Sequence, residues 1–205
     1  METLKSEIAE WGIGTRSIEE SAGCGDDCIV RWRRSGGLVA VVDGLGHGQE
    51  ASFAARTALK VLDANPTESP EGLLKRCHEA TRHTRGLTMA LASIDADSGS
   101  MTWLGVGNVQ GVLVRAAPGT LLPRESLLVR SGVVGHRIPP LVPTTVSIGP
   151  GDVLALATDG IRTDFESSIV ALEDARAASS RVLEQYALPS DDALVVVVRY
   201  LGRPQ

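Results

Sequence analysis

The chain is short of several things at once. Of its 20 basic residues only Lys5, Lys60 and Lys75 are lysines, and nowhere do like charges form a block. With a formal net charge of −5 there is no basic footprint for phosphate backbones, which argues against nucleic acid as the main partner. Apolar runs such as LVVVV near the end are far too short to cross a bilayer. The opening METLKSEIAE is polar and acidic and does not read as a secretory leader. The expectation is a cytoplasmic protein with no membrane partner. Three cysteines cannot complete a disulfide framework. Cys24 and Cys28 are spaced like half a zinc site, but no second Cys/His pair follows at ligand spacing. They read as reduced thiols, and Cys77, on an apolar helix face, as core. Cys24 does not open a Cys-x5-Arg phosphatase loop, because Val30 stands where the arginine would be.

There is no internal repeat at a 20–50-residue period and no Pro/Ser-rich linker. One domain over 1–205 is expected. The densest cluster of helix and strand breakers, Val133 to Pro143, reads as a loop inside it.

Apolar residues make up 43% of the 205 positions, enough for a core without a disulfide or metal staple. Periodicity assigns the elements. Strands are expected at Ile8 to Thr15, Asp27 to Arg34 and Leu38 to Val42, the last two forming a hairpin. Gln49 to Ala64 is an amphipathic helix with Ala51, Ala54, Ala55, Ala58 and Leu62 on its inner face. A second helix starts at Ser69-Pro70-Glu71, proline suiting the first helical position. Leu87 to Asp95 and Met101 to Gly107 form another hairpin. Strands follow at Asn108 to Arg115, Leu127 to Arg130, Thr144 to Ile148 and Asp152 to Thr158. A helical region spans Ser168 to Ala187, and Ala193 to Tyr200 is the closing strand. Strands joined by short hairpins are antiparallel. The order lacks the strand–helix alternation of a doubly wound fold. The fold class is therefore α+β, with two antiparallel sheets face to face and helices outside.

Four places put aspartate at the end of an apolar strand or in the turn beside it. They are GCGDDC (Asp26, Asp27), VVDGLGHG (Asp43), LALATDGI (Asp159) and SDDALVVVV (Asp191, Asp192). Aspartate is depleted in strands and common in turns, so each alone has an ordinary explanation. Together they suggest a cation site, because clustered carboxylates repel unless a cation lies between them, and hard divalent ions prefer oxygen ligands. Asp43-Gly44 and Asp159-Gly160 repeat one dipeptide after similar apolar runs. If their strands are neighbours in one sheet, both carboxylates leave from the same edge. Gly44, lacking a side chain, would let its carbonyl approach an ion.

These four motifs, in this order, resemble those of the metal-dependent type-2C Ser/Thr protein phosphatases, and more narrowly the SpoIIE-like bacterial branch. WLGVGNVQGVLVR is similar to that branch's central hairpin. The resemblance implies an α-β-β-α sandwich with two divalent ions, Mn²⁺ or Mg²⁺. Asp43 would bridge them, the Gly44 carbonyl and Asp26 would serve the first ion, and Asp159 and Asp192 the second. Asp27 and Asp191 are the alternatives within their doublets. The family reaction is hydrolysis of a phosphoserine or phosphothreonine ester by a metal-activated water attacking in line, with no covalent intermediate. His47 is a candidate proton donor to the leaving group or a helix-start residue. Arg16 and His136 are candidates for contact with phosphate or substrate, whereas His78 and His83 read as surface residues. The single-domain length is most like the RsbX-type regulators. That implies a monomer acting on phosphorylated STAS-domain proteins of the stressosome type. The alternative is a docking module of the same fold with weak turnover. The adenine-holding Asp-x-Gly-x-Gly turn of a kinase is out of step here, since Gly44, Leu45 and Gly46 follow Asp43.

Overall fold

The computed structural model describes residues 4–18, 23–116 and 124–203. In chain order the strands are β1 (Leu4–Lys5), β2 (Ala9–Arg16), β3 (Asp26–Arg33), β4 (Gly36–Gly44), β5 (Leu87–Asp95), β6 (Ser100–Val106) and β7 (Gln110–Val114). They continue with β8 (Arg124–Ser126), β9 (Val129–Arg130), β10 (Thr144–Ser147), β11 (Val153–Ala157) and β12 (Ala193–Tyr200). Helices α1 (Gln49–Ala64) and α2 (Pro70–Ala80) lie between β4 and β5, and α3 (Ala175–Tyr186) precedes β12.

One sheet runs β1-β2-β12-β11-β7-β8 and the other β10-β6-β5-β4-β3. Neighbours are antiparallel, except that β9 lies parallel to β6 over two residue pairs. Period-2 alternation gives each sheet two apolar faces, and three cores follow. Val39, Val41, Ala90, Ala92, Leu154, Leu156, Leu194 and Val196 fill the space between the sheets. Val42, Leu87, Met89 and Leu91 meet Ala54, Ala58, Leu62, Leu73 and Leu74 of α1 and α2. Val153, Ala155, Val195 and Val197 meet Phe165, Ala175, Ala178 and Val182 on the α3 side. This is the four-layer α-β-β-α sandwich. The buried face of α1 is the predicted Ala51, Ala54, Ala55, Ala58 and Leu62. Ser69 caps α2 by accepting from the Gly72 N–H, with Pro70 at the first position.

Three readings change. The predicted strand over Leu127 to Arg130 is two short strands in different sheets, β8 beside β7 and β9 beside β6. The chain changes sheets where Leu127 turns into the core and Leu128 turns out to solvent. The predicted helix from Ser168 does not begin there. Thr163–Ser168 is a 3-10 turn, Leu172 takes a positive φ of 66°, and α3 starts only at Ala175. The composition is helical throughout, but the Asp174 carboxylate accepts from the Ala177 N–H and sets the N-terminus there. His78, predicted on the surface, is buried, and its Nδ1 accepts the Gly135 N–H at 3.0 Å. His83 is exposed.

The two placements of Asp174 have opposite consequences for its replacement. As an N-cap it should cost about 1 kcal/mol when changed to Ala, lowering the melting temperature by about 2–4 °C for a chain of this size. Mid-helix, the same change would raise stability, so a thermal melt of Asp174→Ala separates them.

Candidate metal centre

The alternation that builds the central core also builds the site. Inward rows run Val39–Val41–Asp43 on β4, Val30–Cys28–Asp26 on β3 and Ala92–Ala90–Thr88 on β5. From the facing sheet come Leu154–Leu156–Thr158, just past β11, and Val196–Leu194–Asp192, just before β12. Antiparallel order brings the ends of all five rows to one rim of the sandwich. Asp26 sits directly opposite Asp43 across β3–β4, and Asp43 opposite Thr88 across β4–β5.

Side-chain hydrogen bonds tie the rim together across the sheets. Thr158 Oγ1 donates to Asp26 Oδ2 at 2.6 Å. Asn108 Nδ2 donates to Asp159 Oδ2 at 2.6 Å, and its Oδ1 accepts from Thr88 Oγ1 at 2.5 Å. Thr88 Oγ1 also stands 3.4 Å from Asp43 Oδ2. Asp43 and Asp159 therefore meet across the gap between two sheets. Their strands are not neighbours in one sheet, so the shared-edge condition does not apply: β4 and β11 belong to opposite layers.

The electrostatics follow from this crowding. Burial, with the charges of Asp43, Asp192 and Asp159 around it, pushes Asp26 up to about 8 despite the Thr158 hydrogen bond. Burial and the charges of Asp159 and Asp191 push Asp43 up to about 7. The doublets divide their work. Asp26 faces the cluster, whereas Asp27 accepts its neighbour's Cys28 N–H at 2.8 Å and senses Arg56. Asp191 is raised by burial and by Asp159, with His47 opposing. Burial also works against the charge on Asp192, but N–H donors from Ile18 at 2.9 Å and Gly25 at 3.1 Å, with Ser17 and Cys24, hold it below the usual carboxylate range.

Two glycines set the spacing. A Cβ on Gly44 would come within 2.2 Å of the Ala51 carbonyl, so the bare backbone lets α1 seat directly behind the Asp43 turn. One on Gly160 would lie 1.7 Å from the Asp192 carbonyl, which fixes the Asp159 turn against the Asp191–Asp192 turn.

Asp26, Asp43, Gly44, Asp159, Asp191 and Asp192 are thus brought together. His47 is exposed beside Asp191. Arg16 instead donates to the Leu188 carbonyl, and His136 is exposed next to Gly86. Three groups escaped the sequence reading: Thr88, Asn108 and Thr158. Inward parity could have found the two threonines. Asn108 lies between strands, where parity gives no direction. Cys24 and Cys28 are pushed up to about 12, mainly by burial, so both stay thiols and neither is an activated nucleophile. Among the described residues no group of three or more His, Cys, Asp or Glu side chains stands close enough together to hold a metal ion as placed. The carboxylates face one another at Coulombic range, and Gly44 follows Asp43 directly in the chain. That all-oxygen set fits hard divalent ions.

Residues 34–201 match the family model for stage II sporulation protein E (SpoIIE). The chain belongs to the SpoIIE family. Phosphoserine phosphatase RsbX of Bacillus subtilis (strain 168) is 24% identical over 179 residues, covering 87% of this chain and 88% of the relative. A chain solved in work on the bacterial stressosome, described as a modular system adapted to control secondary messenger signalling, is 30% identical. It superposes with a TM-score of 0.81 over 93% of this chain and 99% of its own. RsbX in complex with magnesium superposes with a TM-score of 0.86 at 21% identity, over 97% of this chain and 98% of its own. Among the described residues no helix is long and apolar enough to cross a membrane.

The raised carboxyls make the metal-free protein sensitive to pH. For a folded pKa above the unfolded one, the stabilising contribution is complete below the unfolded value near 3.8. It is lost as pH rises through about 7 for Asp43 and about 8 for Asp26. In chelator, the melting temperature of the unaltered chain should fall between pH 6 and pH 9. Asp26→Asn should flatten that fall and gain about 3–6 °C at pH 9. Parallel curves for the two proteins would contradict the coupling.

Proposed function

We propose that the protein is a divalent-metal-dependent phosphatase that releases phosphate from phosphoserine or phosphothreonine on regulatory proteins of the STAS-domain, stressosome type. The observation that carries this reading is the convergence of acidic side chains from both sheets at one rim. Membership of the SpoIIE family supports it, as do the phosphoserine phosphatase activity in its relative's name and the magnesium in that relative's structure.

Two ions, Mg²⁺ or Mn²⁺, would be held by Asp43 between them, by Asp26 and the Gly44 carbonyl on one side, and by Asp159 and an aspartate of the 191–192 doublet on the other. Asp191 is the better supported of the two. It repels Asp43 and Asp159; Asp192 repels Asp26, but its carboxylate is also taken up by backbone N–H groups. Bound there, such ions acidify a water nucleophile and offset charge on the phosphoryl oxygens. The chain's own part is to hold the donors still. Thr158 orients Asp26, and Asn108 orients Asp159 and, through Thr88, Asp43. His47, in the Coulombic field of Asp191, can supply a proton to the departing serine or threonine oxygen. Asp192 braces the loop that carries Asp191.

Phosphate release from a phosphorylated STAS-domain protein tests this. Release is expected with Mn²⁺, and none with chelator or in Asp43→Asn. Binding of the phosphoprotein without turnover would instead mark a docking module. The doublet separates by metal titration. Asp191→Asn should abolish activity or raise the Mn²⁺ concentration for half-maximal rate about 100-fold. Asp192→Asn, acting through its neighbour, should raise it by about 10-fold. The reverse ranking would return the ligand role to Asp192.

A further inference from the structure

The chain has only two Phe, three Trp and two Tyr. Phe165, Trp103 and Tyr200 are buried, and Trp11, Trp32 and Tyr186 are half-buried. Phe53 alone is left 50% exposed, and it sits on the second turn of α1, directly after the Asp43 loop. Its ring meets His83 edge-on, with centroids 6.0 Å apart. Together they floor a pocket of about 600 Å³, whose walls include Glu50, Arg56, Thr84 and Arg85.

This pocket shares a wall with the metal-centre loop. The Leu45 N–H donates to the Gly86 carbonyl at 3.1 Å, joining the loop to the Arg85–Gly86 segment. Gly46 lies so close that a Cβ there would be 2.9 Å from Arg85 Nη1. Arg85 is paired with the exposed Glu50, and Arg56 donates from its Nε to the Ser52 carbonyl. The charged residues lining the pocket are two arginines and one glutamate, on a protein of net charge −5, with Asp27 also in the field of Arg56. An exposed aromatic flanked by arginines is the residue mix that anchors protein partners.

We infer that the Phe53–His83 pocket docks the polypeptide flanking the phosphorylated residue of the substrate. An apolar side chain would lie on the two rings and an acidic group against Arg56 and Arg85. The inference rests on the phosphatase reading and adds a determinant of protein substrate choice outside the aspartate cluster. An exposed helix residue can be cut back without disturbing a core, so Phe53→Ala should fold normally.

The test compares a phosphorylated STAS-domain protein with p-nitrophenyl phosphate, an ester small enough to be held at the aspartates alone. With Mn²⁺, Phe53→Ala is expected to lower kcat/KM on the phosphoprotein about 10-fold or more, through KM. Its rate on the small ester should stay within about twofold, and Phe53→Trp should restore most of the loss. If the unaltered enzyme hydrolyses the phosphoprotein and Phe53→Ala leaves its KM unchanged, the docking role is wrong and the phosphatase reading stands. An equal loss on both substrates also overturns docking. A wild-type protein inert on both would remove the phosphatase reading and docking with it.

Discussion

Carboxylates brought together at the end of an apolar layer repel one another, and the rest of the molecule is arranged to hold them there. Burial removes the water that would screen Asp26 and Asp43, and their neighbours add like charge. Among the described residues no arginine or lysine is among the groups that shift Asp26, Asp43 or Asp191. Neutral donors line it instead: the hydroxyls of Thr88 and Thr158 and the amide of Asn108. Such groups orient an oxygen without cancelling its charge, which keeps the donors available to a cation. A guanidinium in the same place would give a more stable metal-free protein and a poorer cation site.

The stiffness of the rim comes from close backbone approach. Gly44 lets α1 seat behind the first aspartate turn, and Gly160 locks the second turn onto the doublet. The Gly160 carbonyl accepts the Leu188 N–H at 2.7 Å, and Arg16 reaches the Leu188 carbonyl from β2. The doublet is thus held from two sides, with Asp192 anchored inward by backbone donors. Adjacent residues with the same side chain come to differ in environment: backbone amides hold the Asp192 carboxylate, and the charge of Asp159 acts on Asp191. On the opposite side, the Leu45–Gly86 hydrogen bond joins the Asp43 loop to the segment carrying Arg85.

The sequence by itself determined most of the layers. Period-2 runs and short polar turns gave the antiparallel strands, and the alanine stripe from Ala51 to Leu62 gave the buried face of α1, because these are local patterns that read the same in any context. It also placed the aspartates at strand ends. What it left open depended on partners far away in the chain. Whether β4 and β11 share a sheet is a matter of topology, and a repeated dipeptide carries no information about it. The late start of α3 turned on one cap competing with a helical composition. The doublets were undecidable because alternation ends with the strand, so only the distant amides of Ile18 and Gly25 distinguish Asp192 from Asp191. The exposure of Phe53 and its place beside the Asp43 loop were likewise settled by tertiary structure, through the Arg85–Gly86 segment bonded to that loop.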